Sequence, residues 1–158
     1  MSEIDAWISQ LQRSESADAR ADAAEELGEF GGEPAIEALK SALRDPADEV
    51  KVSAILALGE LRVSDTAGQI QTFLSGADPN GRGAAAVALG QIGRPDAFSL
   101  LLPLTADPIP AVRGAAAWAL GTLGDGAAYE VLVQLSRDTD SDVADAAAEA
   151  LRRLRRNL

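Results

Sequence analysis

Carboxylates and arginines are the side chains in this sequence that could do chemistry. Asp22, Glu25, Glu26 and Glu29 crowd one stretch, a density that invites comparison with metal or acid–base sites. Such chemistry needs carboxylates that converge from different elements into a cleft that perturbs their pKa values. Four on a single helix instead form a solvated face, which is the expectation. Arg20, Lys51, Arg82 and Arg113 form a basic column with a 31-residue spacing, broken at Ala144. Asp45, Asp107 and Asp138 recur six residues ahead of its later members, with Gly76 the exception. One cation per helix start could bind an anion, but the favoured reading is an Asp–Arg ladder tying each inter-repeat turn to the next helix. An exposed rung of that kind contributes about 0–1 kcal/mol.

Two further features compete with bland explanations. Gly81-Arg82-Gly83 precedes a helix, but no strand feeds it and no Gly-Lys-Ser/Thr follows, so it lacks the pattern of a phosphate loop. Gly81 replaces the Val50, Val112 and Val143 of equivalent positions, which predicts a softened helix start and a flexible joint. Arg152, Arg153, Arg155 and Arg156 are the one strong basic cluster. They could dock an acidic partner, or another copy's acidic N-terminal half. Equally, cations suit a helix C-terminus and a terminal repeat needs a polar outer face.

Composition removes whole classes of function. Among 158 residues there is no Cys and no His, and the net charge is −11. Thiolate nucleophiles, His-based triads, disulfides and structural zinc are excluded with those side chains. Residues 1–79 hold 6 basic against 16 acidic groups and residues 80–158 hold 8 against 9. Such acidity argues against phosphate-backbone binding, which draws on Lys and Arg. No apolar run reaches the ~20 residues of a membrane span, and the acidic start lacks a signal-peptide n-region. A cytoplasmic protein without enzymatic activity, metal or cofactor is the expectation.

Internal repetition sets the fold. Leu27, Leu58, Leu89, Leu120 and Leu151 are each 31 residues apart. Ala stands four before every one, at 23, 54, 85, 116 and 147, and an apolar residue three after, from Phe30 to Leu154. Positions −4, 0 and +3 make one stripe of an amphipathic helix, here called A. A second stripe follows in helix B: Leu39, Ile70, Leu101 and Leu132, flanked by Ala35, Thr66, Ala97 and Ala128. Gly31, Gly93 and Gly124 stand where a left-handed residue ends helix A, with Arg62 the exception. Ile4, Ile8 and Leu11 make residues 1–12 a half repeat. Complete repeats then span 16–46, 47–77, 78–108 and 109–139, and 140–158 caps the chain. The order is B-(AB)4-A, about nine helices in one domain, with essentially no strand.

Val112-Arg113-Gly114-Ala115-Ala116-Ala117-Trp118-Ala119-Leu120-Gly121-Thr122-Leu123-Gly124 and Arg82-Gly83-Ala84-Ala85-Ala86-Val87-Ala88-Leu89-Gly90-Gln91-Ile92-Gly93 resemble short HEAT-like repeats. Repeats of this kind occur in phycobilisome lyase subunits, deoxyhypusine hydroxylase and many prokaryotic scaffolds. The resemblance implies an all-α, right-handed α-α superhelix whose B helices line a concave groove for a partner protein. It also implies that hydroxylase chemistry does not carry over, because that family holds iron through His–Glu pairs. On this basis Phe98, Leu102, Tyr129 and Val133 are the expected anchors, with Glu37, Lys40, Gln71 and Glu130 as polar contacts. Two placements stay open for Phe98 and Leu102: facing the groove, or folded inward with Leu101. Pro103 should bend its helix. The expected function is a non-catalytic protein-binding scaffold; the alternative is a bilin or tetrapyrrole lyase-like subunit or chromophore chaperone.

Overall fold

A computed structural model describes residues 1–156. Among them there are ten α-helices and no strand: α1 Glu3–Arg13, α2 Ala17–Phe30, α3 Gly32–Ala42, α4 Asp48–Glu60, α5 Ala67–Gln71, α6 Pro79–Ile92, α7 Ala97–Leu101, α8 Pro110–Leu123, α9 Tyr129–Leu135 and α10 Ser141–Arg156. The order B-(AB)4-A holds, and that order contains ten helices rather than the nine expected. The even-numbered helices are A and the odd-numbered are B.

Helix starts follow local chemistry. Ser2 and Asp5 form a reciprocal capping box on α1, Ser16 Oγ accepts from the Ala19 amide, and Asp78 accepts from the Asn80 and Gly81 amides. Asp48 is the first residue of α4, where a carboxylate complements the helix dipole. Asp140 accepts from the Asp142 and Val143 amides at the start of α10. Helix A ends on left-handed residues: Gly31, Gly93 and Gly124 at φ 64°, 74° and 69°, and Arg62 at φ 53°. Arg62 therefore adopts the glycine conformation despite its Cβ. Gly81 is buried and its amide is capped by Asp78, so the expected flexible joint is a held helix start.

B helices are short. α5 and α7 give way after five residues to 3-10 turns at Thr72–Ser75 and Leu102–Ala106. The change at Leu102 coincides with Pro103, but Thr72–Ser75 makes the same change without a proline, so proline reinforces a bend the repeat already has.

Packing is tightest between A helices. A Cβ added to Gly28, Gly59, Gly90 or Gly121 would stand 2.8, 2.6, 2.8 or 2.5 Å from the Cβ of Ala57, Ala88, Ala119 or Ala150 on the next A helix. Real Cβ atoms avoid such distances, so the glycine column is a steric requirement. Leu27, Leu58, Leu89, Leu120, Leu39, Ile70, Leu101 and Leu132 are all fully buried, as is the alanine column. Leu151 is only half-buried and Phe30 is exposed, since the ends of the stack lack a neighbour to cover them. The core forms two clusters that meet at α6: Ala84, Ala85, Ala88 and Leu89 belong to the first, Ala86 to the second.

Candidate functional site

The basic column makes staples. Arg20 Nε and Nη2 donate to both Asp45 carboxylate oxygens at 2.8 and 2.9 Å. Arg82 binds Asp107 at 2.8 and 3.0 Å, and Arg113 binds Asp138 at 2.8 and 2.8 Å. The third nitrogen, Nη1, donates to a backbone carbonyl six residues back: Ser14, Gly76 or Asp107. Each arginine thus clamps the turn before its helix and the turn that closes its own repeat. The expected ladder exists with a different register, because each Asp pairs with the cation 25 residues earlier rather than the one six later. Arg is suited to this because its planar fork matches a carboxylate bidentately. These guanidinium donors hold the Asp45, Asp107 and Asp138 carboxyls below the usual carboxylate range. Lys51 breaks the series: Gly76 stands at its Asp position, and its ammonium sits 2.6 Å from Asp48 instead.

Beside that gap the A helices carry a run of neighbouring recesses. One of about 530 Å³ has a floor of Ala21, Val52, Leu56, Val87 and Ala115 and a rim of Glu25, Asp48, Glu49 and Asp78. A 250 Å³ recess around Lys51, Phe73 and Gly76 shares Asp48, Val52 and Asp78 with it. Another of 250 Å³, edged by Glu25, Glu29 and Glu60, shares Ser53 and Leu56. The three recesses follow one another along α4, with Asp48, Glu49 and Asp78 at one end, Glu29 and Glu60 at the other, and Glu25 beside the apolar side chains between. Ser53 Oγ donates to Glu25 across the α2–α4 seam at 3.1 Å. Two residues before each repeat leucine the column reads Glu25, Leu56, Val87, Trp118, Glu149. Half-buried Leu56, Val87 and Trp118 form an apolar centre on this face. That column was readable in the sequence, in the side of helix A turned away from helix B.

The side chains expected to bind a partner lie on the other layer. Phe98 and Tyr129 are partly buried against the second core cluster; Phe98 also edges a small recess with Arg94, Pro95 and Leu123. Leu102, Val133 and Gln71 are half-buried, and Glu37 and Glu130 are exposed. Lys40 is held at 2.8 Å by both Glu37 and Asp65, which raises its pKa. None of these eight lines the 530 Å³ recess. Successive A helices touch through the glycine seats.

At the C-terminus, Glu149 receives Arg152, Arg153 and Arg156 at 2.8, 3.4 and 3.8 Å, and the Arg153 guanidinium lies 5.8 Å from the Trp118 ring centre. Arg155 is exposed. Among the described residues no group of three His, Cys, Asp or Glu side chains is placed to hold a metal ion, and no helix is long and apolar enough to cross a membrane.

Comparison with known proteins agrees with this architecture. No curated protein matches the sequence. Among solved structures, the CpcE–CpcF complex of phycocyanin lyase from Nostoc sp. PCC7120 is similar at TM-score 0.81 and 26% identity, over 99% of this chain and 66% of that one. This chain therefore spans just under two thirds of that relative. Human deoxyhypusine hydroxylase in complex with glycerol aligns at TM-score 0.55 and 16% identity, covering 98% and 96%. A designed armadillo repeat protein in complex with the peptide (KR)4 aligns at 0.67 and 18%, covering 99% and 88%. The last two share the fold alone. A family model described as HEAT repeats matches residues 4–73 and 66–152, nearly the whole chain, and the protein belongs to the HEAT repeat family.

Proposed function

We propose that this chain is a protein-binding scaffold that performs no chemistry, with its partner seated on the A-helix face. The observation that carries the reading is the 530 Å³ recess with an apolar floor and charged rim. Contiguous apolar surface bounded by polar groups is how protein-interaction sites present themselves. The absence of His and Cys from the sequence leaves carboxylates as the main candidates for catalysis, and those of the groove stand apart around apolar side chains. A rigid stack of repeats loses little ordering entropy on binding. Two of the similar structures are complexes with another protein or a peptide, which supports a protein partner.

The test is capture of a partner from the source cells by four proteins of equal helicity: native, Leu56→Glu with Val87→Glu, Phe98→Ala with Tyr129→Ala, and Leu102→Ala with Val133→Ala. The partner identified with the native protein should be lost only by the A-face variant. Retention by that variant, with loss by either B-helix variant, would return the binding surface to Phe98, Leu102, Tyr129 and Val133.

The similarity to the phycocyanin lyase complex supports a second reading, a bilin lyase-like subunit or chromophore chaperone. Titrating the protein with a free bilin and recording its absorption spectrum separates the two; an unshifted spectrum removes the second.

A further inference from the structure

The charge arrangement along α4 points to the chemistry of the occupant, an inference that rests on the A-face reading above. Glu49, Val52, Ser53, Leu56 and Glu60 share one face of this helix, at steps of three or four residues. Asp48 and Asp78 stand with Glu49 at its start, Glu29 with Glu60 at its end, and Glu25 across the seam beside Ser53 and Leu56. The single cation lining these recesses is Lys51, already held by Asp48 at 2.6 Å. Each end of the groove is therefore net negative, and the centre offers Val52, Leu56 and Val87 to an apolar side chain. From Asp48 to Glu60 the helix runs about 18 Å at 1.5 Å per residue.

We propose that the groove along α4 binds a basic segment of a partner protein in which an aliphatic or aromatic side chain is flanked by two cations about 18 Å apart. In an extended segment that separation is roughly five to six residues. The apolar centre supplies affinity by burial, while the two acidic ends select the sign of the partner, raise the association rate and set its register. An acidic or purely apolar segment would leave six carboxylates facing like charge or stripped of water without a partner.

Fluorescence anisotropy of short labelled peptides tests this directly. One probe carries Lys at both ends and Leu in the centre; a second carries Glu in place of Lys; a third keeps Lys and replaces Leu by Ser. The first should bind, the other two should bind at least about tenfold more weakly, and binding should weaken as salt rises. Glu49→Lys and Glu60→Lys alter exposed positions at opposite ends, and together should lower the first probe's affinity about tenfold or more. Equal binding of the Lys and Glu probes, no binding of the first probe, or indifference to both substitutions would overturn the proposal. Loss of a captured partner on Leu56→Glu with Val87→Glu, without any effect of charge reversal, would sink the basic occupant and leave the A-face reading standing. Sedimentation velocity supplies the remaining outcome: self-association abolished by Glu49→Lys with Glu60→Lys would assign the groove to a second copy's C-terminal arginines and overturn the partner segment.

Discussion

Single residues carry two demands that the repeat pattern states openly. The glycine after each repeat leucine is one, since its missing Cβ admits the next helix. Gly90→Ala would set a methyl 2.8 Å from the Ala119 Cβ and 2.9 Å from its Cα. Alanine gains about 0.5–1 kcal/mol of helix propensity over glycine, but overpacking costs about 1–3 kcal/mol, so the urea midpoint should fall. Leu89→Ala should cost about 2–5 kcal/mol through the cavity it leaves in a fully buried seat. The left-handed turn after helix A is the second demand. Three repeats meet it with glycine and one with Arg62, a departure visible in the sequence whose backbone consequence was not. Arg62→Gly relieves a left-handed residue worth about 1–2 kcal/mol against about 0.4–1 kcal/mol of added unfolded-chain entropy, so the midpoint should rise. Phe30 shows where residue patterning misleads: its column is apolar, yet it lies at the end of the stack and is 44% exposed.

Between elements, the arginine staples decide how one turn is tied to the next. Spacing disclosed both partners of each rung but not which Arg reaches which Asp, because the choice depends on turns brought together only by stacking. The break at Lys51 and Gly76 offers a clean test. Gly76 has φ −68° and ψ 159°, close to the φ −59° and ψ 140° of Asp107 in an intact rung. Lys51→Arg with Gly76→Asp should therefore build the missing clamp at a compatible φ and ψ, with the Phe73 carbonyl oxygen, 3.2 Å from the new Cβ, giving way by a few tenths of an ångström. Replacing glycine at a compatible site alone gives about 0.4–1 kcal/mol. A thermal midpoint that rises more for the pair than for the two single substitutions combined would confirm the rung. The intact rungs also set an acid limit. Their carboxyls titrate below the unfolded value of about 3.9. The stability they lend is present above that pH and drains away as pH falls through the lower folded value. Melts between about pH 5 and 2 should show the native midpoint dropping, and Arg82→Ala should flatten part of that slope.

For the molecule as a whole, register and order of the repeats were legible because five columns repeat without a gap. The wide recess on the A helices was not, since it forms only where helices far apart in sequence are brought side by side. The anchors expected on the B helices are half-buried or exposed and do not line that recess. The core itself divides at α6, whose small residues serve both clusters, with Leu74 packed against each. Hydrogen exchange should report this: amides of α4, α6 and α8, flanked on both sides, should exchange last, and those of α1 and α10 first. Uniform protection along the chain would mean that the stack opens as a unit.

The glycine seats have one more consequence. Because every junction from α2 to α10 uses the same contact, its rise and rotation are fixed by the module and not by the length of the array. Duplicating residues 78–108 in place should yield a longer spiral of unchanged pitch, extending the A-helix face by one more tread while every existing tread keeps its geometry.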